Sequence, residues 1–164
     1  MLFKRLLASY SMETIKMPVD RPPHVLRDKS FQLAVRIVRL YKYLIEEKKE
    51  YALSKQILRA GTNPGAMVRE ALNGESNLDF VHKLGIAQKE TGETQYWLEL
   101  LYTTNYLSEA EFHSLYQDAG ELMKLIRSSI LTKKKNMAGK TILTILAILS
   151  LTHIFLQHFI VHSS

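Results

Sequence analysis

Four blocks of this chain repeat apolar or small side chains every three or four residues, the period of an amphipathic helix. The first block is Phe31, Ala34, Val38, Tyr41 and Ile45. It predicts a helix that starts near Asp28 to Ser30, where either side chain can cap free amides, and that ends at the polar run Glu46 to Glu50. The second block is Leu53, Ile57, Ala60, Pro64, Met67 and Ala71, with Leu58, Gly61, Gly65, Val68 and Leu72 on the adjacent face. Proline inside a helix costs about 3 kcal/mol. The apolar register nevertheless survives Pro64, which predicts a kinked but continuous helix.

The third block, Phe80, Leu84, Ala87, Thr91, Thr94, Leu98 and Leu101, alternates steps of four and three throughout. Ser76 and Asp79 stand in capping-box spacing before it, and a helix from Asn77 to Tyr106 is about 45 Å long. Ser108 and Glu111 make a similar box before the fourth block, Phe112, Leu115, Ala119, Leu122, Ile126 and Ser129. Lys133 to Lys135 then fit the negative end of that helix's dipole. Four such stripes with short links predict an all-α protein, an antiparallel up-down-up-down four-helix bundle with an additional hydrophobic C-terminal helix. The expected organisation is a flexible lead at 1–27, the bundle at 28–135 and a hydrophobic tail at 136–164. The apolar stretch after Lys4 and Arg5 is only Leu6 to Ala8, too short for a signal peptide.

Composition sharpens this picture. The 164 residues include 7 Gly and 4 Pro, as long helices require, and no Cys, which removes disulfides and thiolate metal sites. The net charge of +6 is unevenly placed. Residues 28–72 hold 9 basic and 5 acidic side chains, whereas residues 73–132 hold 4 and 9. One helical hairpin is therefore near +4 and the other near −5, a split that suits subunit packing as well as polyanion binding. The candidate phosphate contacts are Arg36, Arg39, Lys42, Lys55, Arg59 and Arg69, with Tyr41 and Tyr43 interleaved.

No catalytic centre is legible. A di-iron bundle needs two Glu-x-x-His pairs with two further Glu, and the nearest approaches are Asp79 with His82 and Glu109 with His113, which read as surface pairs. Glu90, Glu93 and Glu99 near Trp97 offer carboxylates for acid-base work, but salt bridges to Arg59, Arg69 or another subunit account for Glu90 and Glu93 more simply. Gly61 and Gly65 lack the Lys-Ser/Thr of a phosphate loop and fit close helix packing. The expectation is a non-enzymatic protein with no catalytic residues, metal or cofactor.

Two separated blocks, AGTNPGAMVREA and DF-x-x-KLGIAQKE-x-x-ET-x-YWLELL, carry a family pattern. Over about Arg27 to Thr132 the chain resembles the bacterial four helix bundle protein family, whose founding members are encoded by intervening sequences inside large-subunit ribosomal RNA genes. The matching positions are Arg59, Ala60, Gly61, Thr62, Gly65, Ala66, Glu70 and Ala71 on helix two. On helix three they are Asp79, Phe80, Lys83, Leu84, Ala87, Glu90, Glu93, Tyr96, Trp97 and Leu98. Asn63 and Pro64 depart from the Ser and branched aliphatic common in the family. The resemblance implies a cytoplasmic homo-oligomer, a pentamer, and a relationship to the accessory variability protein of diversity-generating retroelements, which is associated with nucleic acid and a reverse transcriptase. It transfers no catalytic residue.

Two functions are consistent with these features: a nucleic-acid-associated oligomeric accessory protein that contacts RNA or DNA, and a protein-protein scaffold with no nucleic-acid role. The tail Ile142 to Val161 adds a membrane alternative. Of its 20 residues 14 are apolar and none is Lys, Arg, Asp or Glu, a length that matches a bilayer core of about 30 Å. Thr144, Ser150, Thr152, His153, Gln157 and His158 are polar, so an amphipathic helix docked on the bundle or a membrane surface competes with a span. Lys133 to Lys135 and Lys140 precede the tail and would hold the bundle on the cytoplasmic face of an inner membrane.

Overall fold

In the computed structural model the backbone is described from residue 24 to 162 and the side chains from residue 24 to 153. Four α-helices follow one another: α1 Val25–Glu46, α2 Leu53–Leu72, α3 Asn77–Thr103 and α4 Glu109–His162. The chain divides into two compact units, Met1–Ile130 and Leu131–Ser164. In the first unit α1 packs on α2 and α2 on α3. The Tyr102 and Phe112 rings stack 4.6 Å apart between α3 and α4, and Lys29 of α1 reaches Glu121 of α4 at 3.0 Å. Successive helices are thus neighbours and the last returns to the first, the up-down-up-down bundle that the stripes predict.

The core is aliphatic. Leu33, Ile37, Leu40 and Leu44 of α1 face Ile57 and Val68 of α2, Leu84, Leu98 and Leu101 of α3, and Leu115, Leu122 and Ile126 of α4, all fully buried. Each such side chain contributes about 2 kcal/mol relative to exposure. The α3 and α4 stripes lie where their spacing places them, with Ala87, Thr91 and Thr94 completely buried. Thr91 and Thr94 donate their hydroxyls to the Ala87 and Glu90 carbonyls one turn back, which lets two polar side chains sit in the core.

The first stripe differs. The bundle buries Leu26, Leu33, Ile37, Leu40 and Leu44, and leaves Phe31, Ala34, Tyr41 and Ile45 half-buried and Val38 exposed. Two apolar stripes run side by side on this helix, and the one richer in Leu and Ile takes the core. Helix α1 also begins earlier than Asp28: His24 caps it, its Nδ1 accepting from Arg27 N at 3.3 Å, while His24 N donates to Asp28 Oδ2 at 2.9 Å. Residues 25–27 are therefore helical, and the rest of the expected lead, 1–23, lies outside the described residues.

Helix α2 continues through Pro64, which is buried with Gly61 and Gly65. A Cβ on Gly61 would stand 2.5 Å from Ile37 Cγ1, so glycine here sets how closely α1 and α2 approach. The α2 N-terminus lacks a cap from Ala52 and uses Glu50 instead. Glu50 Oε1 accepts from the Ala52 and Leu53 amides, both at 2.8 Å, and Oε2 from Ser54 N at 2.5 Å. Burial raises the Glu50 pKa, but these backbone donors outweigh it and hold the carboxyl below its ordinary value. Asn105, with φ 64°, ends α3 in a left-handed turn in which Asn105 N bonds Tyr102 O and Tyr106 N bonds Leu101 O.

The fourth helix does not stop at the lysine run. Helix α4 continues to His162, so Lys133 to Lys135 face no helix C-terminus and the dipole interaction expected there does not exist. Nothing between Thr132 and Thr141 breaks a helix except Gly139, whose cost of about 1 kcal/mol a long helix absorbs.

Two outcomes test these contacts. Gly61→Ala should destabilise the bundle by about 1–3 kcal/mol in denaturant unfolding, because fully buried Ile37 must move. Glu50→Gln should cost about 1 kcal/mol near neutral pH. A depressed folded-state pKa means the carboxylate's contribution is complete above the ordinary value of 4.5 and is lost as pH falls below it, so the two proteins' unfolding midpoints should converge in acid.

Candidate nucleic-acid interface

The six candidate phosphate contacts separate into two groups. Arg36 is 2 % exposed and forms an ion pair with Asp118 of α4. It also donates to Ser114, to the hydroxyl at 2.8 Å and the carbonyl at 3.3 Å. Burial and the nearby Arg39 lower its pKa from the ordinary arginine value. A guanidinium committed in this way is a structural link between α1 and α4, and it leaves the phosphate-binding set. Sequence alone places Arg36 on the polar side because its partner is 82 residues away.

Arg39 and Arg69 are half-buried. Arg69 donates to the Gly65 carbonyl at 2.9 Å and lays its guanidinium over the Phe31 ring, 5.3 Å from the centroid. Lys42, Lys55 and Arg59 are exposed. Lys55 and Arg59 are four residues apart and share one face of α2. Lys42 stands near the end of α1, so all three gather toward the end of the hairpin closed by residues 47–52.

That connection adds residues which helix periodicity passes over. Lys48, Lys49 and Tyr51 are exposed, Tyr51 to 56 %. Lys48 Nζ lies 5.7 Å from the Tyr43 ring centroid, and Lys49 holds a left-handed backbone with φ 55°. Five exposed cations, Lys42, Lys48, Lys49, Lys55 and Arg59, thus meet exposed Glu46 and Glu47 at this end, while the third carboxylate, Glu50, is turned onto the α2 amides. The signal for this group is the lysine pair beside a tyrosine in a loop.

The acidic hairpin engages its carboxylates internally. Glu93 accepts from the Trp97 indole at 3.2 Å, and Glu99 from the Tyr116 hydroxyl at 2.8 Å, a bond that raises the Tyr116 pKa, with smaller contributions from burial and the Glu99 charge. Among the described residues no ion pair joins Glu90 or Glu93 to Arg59 or Arg69. Lys29–Glu121 and Arg36–Asp118 instead neutralise part of the charge split across the α1–α4 contact. His113 and Glu109 are 3.7 Å apart on an exposed face. Among the described residues no group of His, Cys, Asp and Glu could hold a metal ion. Nor is any helix among them long and apolar enough to cross a membrane; the side chains of 154–161, the second part of the expected span, lie outside the described residues.

Fold and surface together define a helical bundle with a solid aliphatic core and a basic, tyrosine-bearing end. The chain belongs to the 23S rRNA-intervening sequence protein family, whose pattern matches residues 25–128. A crystal structure of a protein of unknown function from the S23 ribosomal protein family of Bacteroides thetaiotaomicron VPI-5482 is 52 % identical. The match covers 65 % of this chain and 95 % of that one, with a TM-score of 0.64. No curated protein matches the chain. Neither match bears on the retroelement accessory proteins.

The role given to Arg36 has a measurable consequence. Arg36→Ala should destabilise the bundle by about 3–5 kcal/mol, because it leaves the Asp118 charge buried and unpaired. Replacing Asp118 by Asn in the same chain should recover part of that loss in urea unfolding. Strictly additive losses would mean that the two side chains do not act as a pair.

Proposed function

We propose that this protein is a non-enzymatic, oligomeric bundle that associates with nucleic acid in the cytoplasm. The observation that carries the reading is the exposed basic end of the first hairpin. Lys42, Lys55 and Arg59 offer charge to phosphates, and Lys48, Lys49 and Tyr51 in the adjoining loop add charge and a ring on which a base can stack. Membership of a family tied to intervening sequences of 23S rRNA is compatible with this.

Self-association rests on the stripe that the core does not use. Phe31, Ala34, Val38, Tyr41 and Ile45 keep helical spacing along α1 while remaining half-buried or exposed, and a second subunit would cover them. A cyclic assembly, for which we favour a pentamer, would repeat the basic end around a ring and strengthen its field. The scaffold reading draws on the acidic hairpin, where Tyr96 and Tyr102 are 55 % and 37 % exposed. Aromatic residues in such positions are common anchors for protein partners.

A gel-shift titration with RNA and DNA over a salt series separates the two. Lys55→Glu with Arg59→Glu should weaken binding and make the salt dependence shallower by about 1 in logarithmic slope per lost contact, with helix content unchanged. Equal affinity in the double variant would place binding elsewhere, and no binding by the parent protein at low salt would favour the scaffold. Light scattering reports the assembly, and a monomer at all concentrations would remove the oligomer.

A further inference from the structure

The second unit of the chain carries an apolar helix whose large side chains are exposed. From Ile142 to Leu151 every large apolar side chain is more than half exposed, from 51 % at Ile145 to 68 % at Leu143. At 100° per residue these positions surround the helix rather than marking one face. A helix apolar on all sides belongs either inside a protein or inside a bilayer.

Its hydroxyl donors bond within the helix. Thr144, Ser150 and Thr152 donate their hydroxyls to the carbonyls of Lys140, Ala147 and Leu149, at 2.9, 2.8 and 2.9 Å. Thr141 does the same with Met137 at 3.1 Å. These bonds satisfy every one of those hydroxyl donors within the helix, which lowers the cost of placing them in an apolar medium. Charge supplies the second argument. Lys134, Lys135 and Lys140 are exposed just before the apolar run, no acidic residue follows Glu121 in the sequence, and no lysine or arginine follows Lys140. A band of cations beside an uncharged apolar helix complements anionic headgroups beside hydrocarbon. The run lies beyond the family match, which ends at residue 128, so this property is separate from the nucleic-acid reading.

The geometry points to an anionic phospholipid bilayer as the partner of this helix, with Ile142 to Leu151 in the hydrocarbon and Lys134, Lys135 and Lys140 at the headgroups. Flotation of the full-length protein tests it, diluted from mild detergent into vesicles of phosphatidylcholine alone or of phosphatidylcholine with phosphatidylglycerol. The parent chain should float with both, and more tightly with the anionic vesicles. Replacing the three lysines by Gln should weaken binding to the anionic vesicles by about fivefold per lysine and leave phosphatidylcholine binding unchanged. Ile145→Glu with Leu149→Glu, both exposed and therefore harmless to folding, should abolish flotation while circular dichroism stays the same. Flotation of that double variant at the parental level would overturn the proposal. So would a parent chain that stays at the bottom of both gradients, including one that forms oligomers which the double variant does not, since a second copy would then be what covers the helix.

Discussion

One buried ion pair, Arg36 with Asp118, braced by Ser114, fixes the register in which the last bundle helix returns to the first. Aliphatic side chains tolerate many ways of sliding one helix along another, because each leucine finds a similar neighbour a turn away. A guanidinium and a carboxylate in a dry site do not. Moving α4 by one turn relative to α1 would bury both charges unpaired, at several kcal/mol each. The pair adds little net stability over an apolar replacement, yet it excludes the shifted registers that leucine packing leaves accessible. Gly61 has the matching role between α1 and α2, where Ile37 fills the space a Cβ would need.

The same pair changes the meaning of the charge distribution. A hairpin of +4 beside one of −5 reads as a surface dipole, but part of the opposition is consumed inside the bundle by Lys29–Glu121 and Arg36–Asp118. What stays exposed is more localised than the totals imply. The basic residues collect at the α1–α2 end, and there Glu50 is withdrawn from the surface by the amides it caps. A backbone interaction that starts a helix thereby leaves that end more positive.

How much was legible beforehand follows from the physics of each element. Helix α3 has one stripe, flanked by polar side chains, and its register, small central residues and Ser76 cap are all found as the spacing predicts. Helix α1 has two adjacent stripes, and periodicity cannot choose between them; the choice depends on volumes supplied by other helices. Pro64 illustrates the converse, since an unbroken apolar register on both sides outweighs a local penalty. For the candidate interface, Lys42, Lys55 and Arg59 are exposed because they lie on the polar side of their helices. Arg36 lies on the same side of the alphabet but not of the molecule, and only Asp118, distant in sequence, reveals it. Lys48, Lys49 and Tyr51 have no period to betray them.

The bundle and the C-terminal run share a device that bears on what surrounds each. Thr91 and Thr94 return their hydroxyls to carbonyls one turn back, and Thr144 does likewise. In water such a bond gains little, because solvent offers the hydroxyl an equal partner; in an apolar medium it removes a desolvation penalty of about 1–3 kcal/mol. Around Thr91 and Thr94 the apolar medium is the other helices, and both residues are completely buried. Around Thr144 the neighbouring side chains on its own helix are Leu143 and Ile145, both exposed. A helix that is chemically an interior helix calls for apolar surroundings, and the lysines that precede it favour surroundings that also carry negative charge.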